Sequence, residues 1–508
     1  MSSKSILAAI FLLSFSGAAQ TLSTTKIKQL GESKLIEAIS DFREFLEIPN
    51  DGNYKENVYS NLEWCRENFE SKGFIVSQLE TPGMPLLLAE KVINKDAKTA
   101  LFYLQIDGQP VDTSAWSQPS PYQAVLKESD GDNKWKIIDW QSLDGELNMD
   151  WRISARSASD SKGPAMSLMQ AIDVLDENDI TPAFNVKIIM DFQEELGSRD
   201  LPGAVKEYSD ELSADFLVIM DGVRSVVNQP TLTFGARGIA TATLTVYGPK
   251  SPLHSGQFGN FAPNPVFAAS RLIAGMKDNE GRVTIPGFYD GVSLSEADRK
   301  ILNNVPDDID EIKGNVGIMV ADGIGETYQE SLQYPSLNVR GMQAAWVGKE
   351  VRTIIPSEVV IEIDMRLVPE TPGQRQVDLL KKHVVDQGYY LIDREPTDDE
   401  RTQYPKIASF KYRLGSAPFR TEYGTPIDQW LTSAVTRATG MRPIRMRTTG
   451  GSQPIGPFIN TLNIPAIAVR IPNPGNNIHA PDENLRIGNF LEGIQTCIGI
   501  LTEPIPTK

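Results

Sequence analysis

Hydrophobic and polar positions follow two different periods along this chain. The segment "TALFYLQID" (99–107) is a continuous apolar run, which predicts a strand buried on both faces of a parallel sheet. "GPAMSLMQAIDVLDE" (163–177) repeats its apolar residues every three to four positions and predicts an amphipathic helix. "FNVKIIMDFQEE" (184–195) and "DFLVIMDG" (215–222) predict two further strands. Strands alternating with helices predict an α/β domain with a mostly parallel sheet and helices on both faces.

The pattern changes after the third of these strands. "TLTFGARGIATATLTVYGP" (231–249) and "EVVIEIDMRLVPE" (358–370) alternate apolar with polar or small residues, which is the period of half-buried strands. Helical patterns lie between and after them, so this part predicts a smaller α+β domain. The α/β pattern then returns. We therefore predict a catalytic α/β domain over 26–229 and 416–508, interrupted by an inserted α+β domain over 230–415.

The first residues resemble a secretory signal. Lys4 precedes the apolar run "ILAAIFLLSFSGAAQ", which ends in small residues and is short for a membrane span. We predict a signal peptide over 1–20 and an exported, periplasmic or extracellular protein. A retained anchor is the alternative. No later run reaches the ~18 apolar residues of a spanning helix, so we expect no membrane contact after cleavage.

Composition narrows the chemistry. The 508 residues carry a net charge of −17, which argues against a nucleic-acid partner. Only three histidines are present, and His383 is predicted on a helix surface, which leaves His254 and His479 for chemistry. The only two cysteines, Cys65 and Cys497, predict either a disulfide or two separately buried thiols.

Acidic residues follow each of the three predicted buried strands: Asp107, then Glu194 and Glu195, then Asp221. The carboxyl ends of parallel strands share one rim of the sheet, so these carboxylates are expected to converge. Two further motifs are weak evidence alone. Asp160 precedes a predicted helix and could serve only as its N-cap, and His479 could be an ordinary surface residue of its loop. Together these oxygen and imidazole groups suit zinc or manganese.

Several blocks, taken in order, resemble the di-zinc exopeptidase family of carnosinase and other dipeptidases, acetylornithine deacetylase and succinyl-diaminopimelate desuccinylase. They are "LQIDGQPVD", "ARSASDSKGPAM", "DFQEELGS", "VIMDG", "GARG", "SPLHSGQFGNFAPNP", "YPSLNVRG", "IIPSEVVIEIDMRLVPE", "RTTGGSQPIG" and "NNIHAPDENL". The likeness is greatest to the carnosinase-type dipeptidases. It implies a zinc-exopeptidase-like catalytic domain, an inserted lid and dimerisation domain, two zinc ions, and a homodimer. It also implies hydrolysis of dipeptides or N-acyl amino acids by a metal-activated water.

The resemblance also implies residue roles. Asp160 would bridge two metals, with Glu195 and His479 on the first and Asp221 on the second. The catalytic roles would fall to Glu194 as general base, Asp107 as the residue orienting a metal ligand, and His254 as transition-state stabiliser, reaching in from the partner subunit. Substrate binding would involve Arg366 on the substrate carboxylate and the loop residues Gly450, Gly451 and Ser452.

One ligand position departs from the family pattern, because Gln105 stands where the family has a histidine. An amide oxygen is a poorer zinc ligand than imidazole, so the binding of a second metal ion depends on whether Gln105 can act as a ligand. Manganese is an alternative to zinc. Ser157 and Ser161 are further departures in the block around Asp160, and neither removes a ligand. Two hypotheses follow: an exported metal-dependent exopeptidase, or a catalytically impaired peptide- or amino-acid-binding protein on the same fold.

Overall fold

A computed structural model describes residues 21–131 and 134–506, so the predicted signal peptide lies outside the described residues. The first part of the chain forms a run of helices and strands that ends at a two-residue strand. These elements are α1 (Thr24–Glu47), α2 (Lys55–Ser71), β1 (Ile75–Leu79), β2 (Leu86–Lys91), β3 (Thr99–Gln105), β4 (Val125–Ser129), β5 (Trp135–Ile138), β6 (Arg152–Ser154), α3 (Lys162–Glu177), β7 (Asn185–Asp191), α4 (Leu201–Glu207), β8 (Phe216–Ile219), β9 (Thr231–Thr233) and β10 (Gly235–Ala236).

The middle of the chain forms a separate layer of strands and helices, which we call the lid (residues 238–414). Its elements are β11 (Gly238–Tyr247), β12 (Leu253–His254), α5 (Ser255–Phe258), α6 (Pro265–Ala274), α7 (Glu296–Leu302), α8 (Ile309–Val316), α9 (Tyr328–Ser331), β13 (Ser336–Gln343), β14 (Ile354–Ile355), β15 (Glu358–Leu367), α10 (Gly373–Asp386), β16 (Tyr390–Ile392), α11 (Asp398–Gln403) and β17 (Ile407–Leu414).

The last part returns to the first domain. Its elements are β18 (Phe419–Arg420), α12 (Pro426–Thr439), β19 (Ile444–Met446), α13 (Gly456–Leu462), β20 (Ala466–Arg470), β21 (Asn484–Arg486) and α14 (Ile487–Leu501).

The catalytic domain is built on an eight-stranded sheet in the order β1-β2-β7-β3-β8-β20-β9-β19. Its four central strands, β7, β3, β8 and β20, run parallel. Helices α1, α3, α12 and α14 pack on one face, where strand residues such as Phe102 are buried, and α4 and α13 pack on the other, against Tyr103. Successive strand residues point to opposite faces, so a strand covered on both sides must be apolar throughout. The predicted α/β architecture is confirmed.

The lid has a five-stranded sheet in the order β13-β15-β11-β17-β16. Alternate residues of β11 and β15 are buried, among them Leu244 and Ile363, and they pack against α6 and α10. This one-sided burial explains the strand alternation in the sequence. The lid sheet begins at Gly238, after the predicted boundary at 230, because Thr231–Thr233 pairs with β20 and β19 in the large sheet.

A second, four-stranded sheet has the order β21-β6-β4-β5, and its strand β6 leads directly into the loop ahead of Asp160. In the core, Cys65 and Cys497 are both free and buried, so the alternative of two separate thiols is the one observed. His383 is buried, with Nε2 3.4 Å from the carbonyl of Leu272, so its predicted surface position is wrong. No helix among the described residues is long and apolar enough to cross a membrane.

Candidate active site

Three side chains meet at the carboxyl rim of the large sheet. Nε2 of His479 lies 2.9 Å from Oδ2 of Asp160 and 3.3 Å from Oε2 of Glu195. All three offer a ligand atom within 4.8 Å of one another. The two carboxylates are 6% and 5% exposed, whereas the imidazole is 53% exposed and stands at the open side. We call this group the primary cluster.

The loop before α3 positions Asp160. A carboxylate behind that loop, Glu483, accepts hydrogen bonds from the backbone amides of Ser157, Ser159 and Asp160 at 2.8–3.0 Å. Its Oε2 also accepts from Nη1 of Arg156 at 2.7 Å, in a pair that is almost fully buried. Glu483 is therefore the group that holds the Asp160 loop.

Glu194 and Glu195, which follow β7, are held in place by a residue at the end of the neighbouring strand β3. The carboxylate of Asp107, just beyond β3, accepts from the backbone amides of Glu194 and Glu195 at 2.9 and 3.1 Å. The strands β3 and β7 are parallel neighbours, with Gln105 in register with Asp191. The predicted convergence of these strand ends is therefore confirmed. Asp107 positions the backbone of both glutamates.

Gln105 occupies the centre of the carboxylate group. Its Nε2 lies 2.9 Å from Oδ1 of Asp160 and 3.3 Å from Oε1 of Glu195. The amide thus presents its NH₂ group to both carboxyl groups, whose oxygens accept. A second amide, Nε2 of Gln109, donates to Oε2 of Glu195 at 2.8 Å. The amide oxygen of Gln105 therefore does not face the primary cluster.

Asp221 belongs to a different set of contacts. Its Oδ2 accepts from Nε2 of Gln453 at 2.6 Å, and its Oδ1 lies 3.2 Å from Oγ of Ser161. The same hydroxyl lies 2.9 Å from Oδ1 of Asp160. Sequence reasoning missed Gln453, because it lies far along the chain in the loop that carries Ser452. We call Gln105, Ser161, Asp221 and Gln453 the secondary group.

The backbone beside Asp221 is held by a buried arginine. Nη1 of Arg470 donates to the Asp221 carbonyl at 2.6 Å and passes through the space that a Cβ on Gly222 would fill. Gly222 also has φ +90°, a conformation that favours glycine. The Asp-Gly sequence at this strand end therefore serves the close approach of Arg470.

Crowding of carboxylates shifts their protonation. Burial raises the pKa of Asp160 well above its usual range, and the charges of Asp221 and Glu195 raise it further. Burial also raises the pKa of Glu194, with the charge of Asp221 adding to it. Hydrogen bonds to Asp160 and Glu195 raise the pKa of His479 to about 10. So many anions in one buried place favour a cation among them.

The remaining predicted residues lie on the lid and its junction. Arg366, on β15, donates from Nη1 to Oγ of Ser452 at 2.8 Å, so the structure brings it to the loop that carries Gly450 and Gly451. His254 is exposed on β12, with Nδ1 accepting from the amide of Gly256. Its described contact is thus within the lid, away from the primary cluster of the same chain.

Comparison with known proteins identifies the family. The model of peptidase family M20/M25/M40 matches residues 102–503. The chain belongs to this family. It is 25% identical over 422 residues to the Cys-Gly metallodipeptidase dug1 of Schizosaccharomyces pombe, covering 82% of each chain. It is 24% identical over 427 residues to the human Beta-Ala-His dipeptidase, covering 81% of this chain and 76% of that protein.

Solved structures agree with this membership. The M20 family metallo-carboxypeptidase Sso-CP2 from Sulfolobus solfataricus superposes with a TM-score of 0.74 at 27% identity, covering 92% of this chain and 99% of that one. Human carnosine dipeptidase 1 has the same fold, with a TM-score of 0.72 at 21% identity and coverage of 95% and 98%. The predicted family is confirmed, and with it the assignment of the chain as a metallopeptidase.

Proposed function

We propose that this M20 enzyme is an exported exopeptidase that hydrolyses dipeptides or related N-acyl amino acids with the help of a metal ion. The observation that carries the proposal is the primary cluster, with the carboxylate of Glu194 next to it in sequence and at the same strand end. The dipeptidase names of its relatives support the substrate class. The signal-like first 20 residues support export.

The primary cluster fits a metal ion. Two carboxylates and one imidazole are ligands that zinc and manganese both accept in catalytic sites. The exposed side of His479 leaves one direction open to solvent. A cation would also relieve the repulsion that raises the pKa of Asp160. Asp160, Glu195 and His479 would hold the ion, and a bound ion would acidify water and polarise the substrate carbonyl.

The secondary group does not present a comparable set of metal ligands. Amide and hydroxyl hydrogens of Gln105, Ser161 and Gln453 are directed at the oxygens that a second ion would need. These donors are neutral and hydrogen-bond both carboxylates without adding charge. We therefore propose that one metal ion per chain is sufficient, held by the primary cluster. Zinc and manganese remain the two candidates.

Glu194 would act as the general base. Its buried position raises its pKa, so the carboxylate accepts a proton more readily than an exposed glutamate does. A base of this kind takes a proton from the attacking water and returns it to the departing amine nitrogen. Asp107 holds the Glu194 backbone by accepting its amide hydrogen at 2.9 Å. Proton transfer of this type contributes about 10²–10⁴-fold to a rate.

Arg366 would bind the terminal carboxylate of the substrate. Its hydrogen bond to Ser452 orients the guanidinium at the junction of lid and catalytic domain, and guanidinium binds carboxylates in a charge-assisted fork. The resemblance to dimeric dipeptidases supports a homodimer. In such a dimer the exposed His254 would be free to enter the partner's site and stabilise the oxyanion.

A second candidate function is peptide or amino-acid binding without turnover. The observation that favours it is the direct hydrogen bonding of Gln105 to two carboxylates of the cluster. In this hypothesis the site captures ligands, and binding raises thermal stability without product formation.

The test compares Glu194→Gln with Glu67→Gln, a matched change on the exposed surface of α2. We expect the first variant to bind metal normally and to lose about 10²–10⁴-fold in dipeptide turnover, while the second behaves as the wild type. Full activity in Glu194→Gln would show that the proposed base is wrong. A wild-type protein that binds dipeptides but releases no amino acids with added zinc or manganese would support the binding function instead.

A further inference from the structure

The lid contains a cavity that is separate from the carboxylate cluster at the rim of the large sheet. It has a volume of about 630 Å³, within the range of small-molecule sites. Apolar side chains form most of its wall, from α8 (Ile309, Ile312, Val316), from α9 (Tyr328) and from β13 (Leu337). We call it the lid cavity. A wall of this kind favours an apolar group of matching size.

One cation in its wall has no anionic partner. Arg237, at the start of the lid, is 7% exposed and lines the lid cavity. Its Nη2 donates to the carbonyl of Tyr334 at 2.8 Å, and its Nε is buried without a hydrogen-bond partner. No carboxylate of the described chain forms an ion pair with it. A buried charge without a counter-charge is unfavourable unless something else supplies one.

The other charged groups of the cavity wall do not supply a counter-charge for Arg237. Lys277 is paired with Asp322 at 3.2 Å, and Lys313 is paired with Asp310 on the outer side of α8. Glu326 is exposed. The acidic group that influences Arg237 at longer range, Asp364, accepts from Asn338 at 2.9 Å. The guanidinium of Arg237 thus remains without a counter-charge inside an apolar wall.

A second guanidinium increases this excess of positive charge. After burial, the charge of Arg366 is the main cause that lowers the pKa of Arg237, to about 10. Ser336, in the cavity wall, is the cross-strand partner of Arg366. Leu332, just beyond α9, lies beside Gly450 of the Ser452 loop. The lid cavity therefore adjoins the proposed substrate-binding arginine.

We propose that the lid cavity binds a molecule that combines a carboxylate with a compact apolar group, the carboxylate pairing with Arg237. Charge complementarity selects the carboxylate, and the apolar wall selects the rest of the molecule. Such a ligand has two possible sources. It is either the carboxyl-terminal residue of the substrate, with an apolar side chain in the cavity and its carboxylate shared between Arg237 and Arg366, or a separate small carboxylic acid.

The test is a calorimetric titration of the metal-loaded, full-length protein with 4-phenylbutyrate and, separately, with the uncharged 4-phenylbutanamide. We expect saturable binding of the acid at one site per chain and at least tenfold weaker binding of the amide. Arg237→Gln should weaken acid binding at least tenfold. Arg413→Gln, a matched change on the exposed end of β17, should leave it unchanged.

Three results would overturn the proposal: no saturable binding of the acid, equal affinity for acid and amide, or unchanged affinity in Arg237→Gln. Val316→Trp gives a second variant in case Arg237→Gln misfolds, because Val316 is exposed at the end of α8 and a larger side chain there narrows the cavity. It should weaken binding of the acid, and an unchanged affinity would likewise contradict the proposal.

Steady-state kinetics separate the two sources. If the cavity takes the substrate's own terminal residue, 4-phenylbutyrate raises KM for a dipeptide without changing kcat, and Arg237→Gln raises KM more for carboxyl-terminal phenylalanine than for glycine. If the ligand is a separate acid, KM stays the same while the titration still shows binding. The titration does not depend on turnover, so a failure of the proposed hydrolysis and a failure of this inference are distinguishable.

Discussion

The primary cluster and the secondary group are adjacent at one sheet rim, and they are satisfied in different ways. In the primary cluster an imidazole faces two buried carboxylates, Asp160 and Glu195. In the secondary group the carboxylate of Asp221 accepts from the amide of Gln453 and lies 3.2 Å from the hydroxyl of Ser161. Both groups include neutral amide donors, but only the first combines two buried carboxylates with an imidazole, a set of ligands that suits a metal ion. This difference supports the proposal that the primary cluster alone holds a metal ion.

The largest expected effect is the loss of metal by the primary cluster. Asp160→Asn removes the charge of the central ligand and should weaken zinc binding at least about 100-fold, because even the partners of metal ligands contribute 10- to 100-fold. Equilibrium dialysis with elemental mass spectrometry measures the change. Asp150→Asn, on an exposed loop, is the matched control. If Asp160→Asn bound zinc with wild-type affinity, the primary cluster would not be the metal site.

A stability test probes the group that holds the Asp160 loop. Glu483→Ala leaves Arg156 buried without its partner, and removal of one member of a buried pair costs about 3–5 kcal/mol of unfolding free energy. Urea denaturation of the metal-free protein gives the value directly. A loss below about 1 kcal/mol would mean that water compensates Arg156 and that Glu483 is not the support described here.

Introducing a histidine ligand at position 105 tests whether the secondary group can be converted into a metal site. Gln105→His replaces an amide donor with an imidazole beside Asp160, and combined with Gln453→Leu it frees Asp221 from its hydrogen bond. We expect the double variant to bind a second zinc ion per chain. Gln387→His, on the lid surface, should leave the stoichiometry unchanged. No gain in the double variant would show that the secondary group departs from a metal site more deeply than at these two residues.

The smallest expected effect is on pH dependence. The pKa of His479 is raised to about 10 in the folded, metal-free protein, against about 6.5 when unfolded. The contribution of this residue to stability is therefore full below pH 6.5 and is lost as pH rises towards 10. Between pH 7 and 10 the metal-free wild type should lose more unfolding free energy than His479→Gln. Parallel curves for the two proteins would contradict the assigned hydrogen bonds of His479.

The sequence predicted the large features because they depend on local patterns. Apolar segments indicated the strands β3, β7 and β8, and parallel pairing brought their acidic ends together. The departure at Gln105 was visible in one block, but its hydrogen bonds were not. Gln453 reaches Asp221 across the junction of two loops, and no spacing in the sequence indicates that contact. The burial of His383 depends on the packing of α10 against α6, which helical periodicity alone does not reveal.

The most direct test of the central claim is the zinc content of the wild-type protein after dialysis to equilibrium, measured by elemental mass spectrometry per mole of chain. If the primary cluster is the single metal site, one ion per chain is expected, lost in Asp160→Asn and unchanged in Gln105→Ala. Two tightly held ions per chain, with one lost in Gln105→Ala, would show that Gln105 turns its amide oxygen to a second metal and would contradict a single metal site.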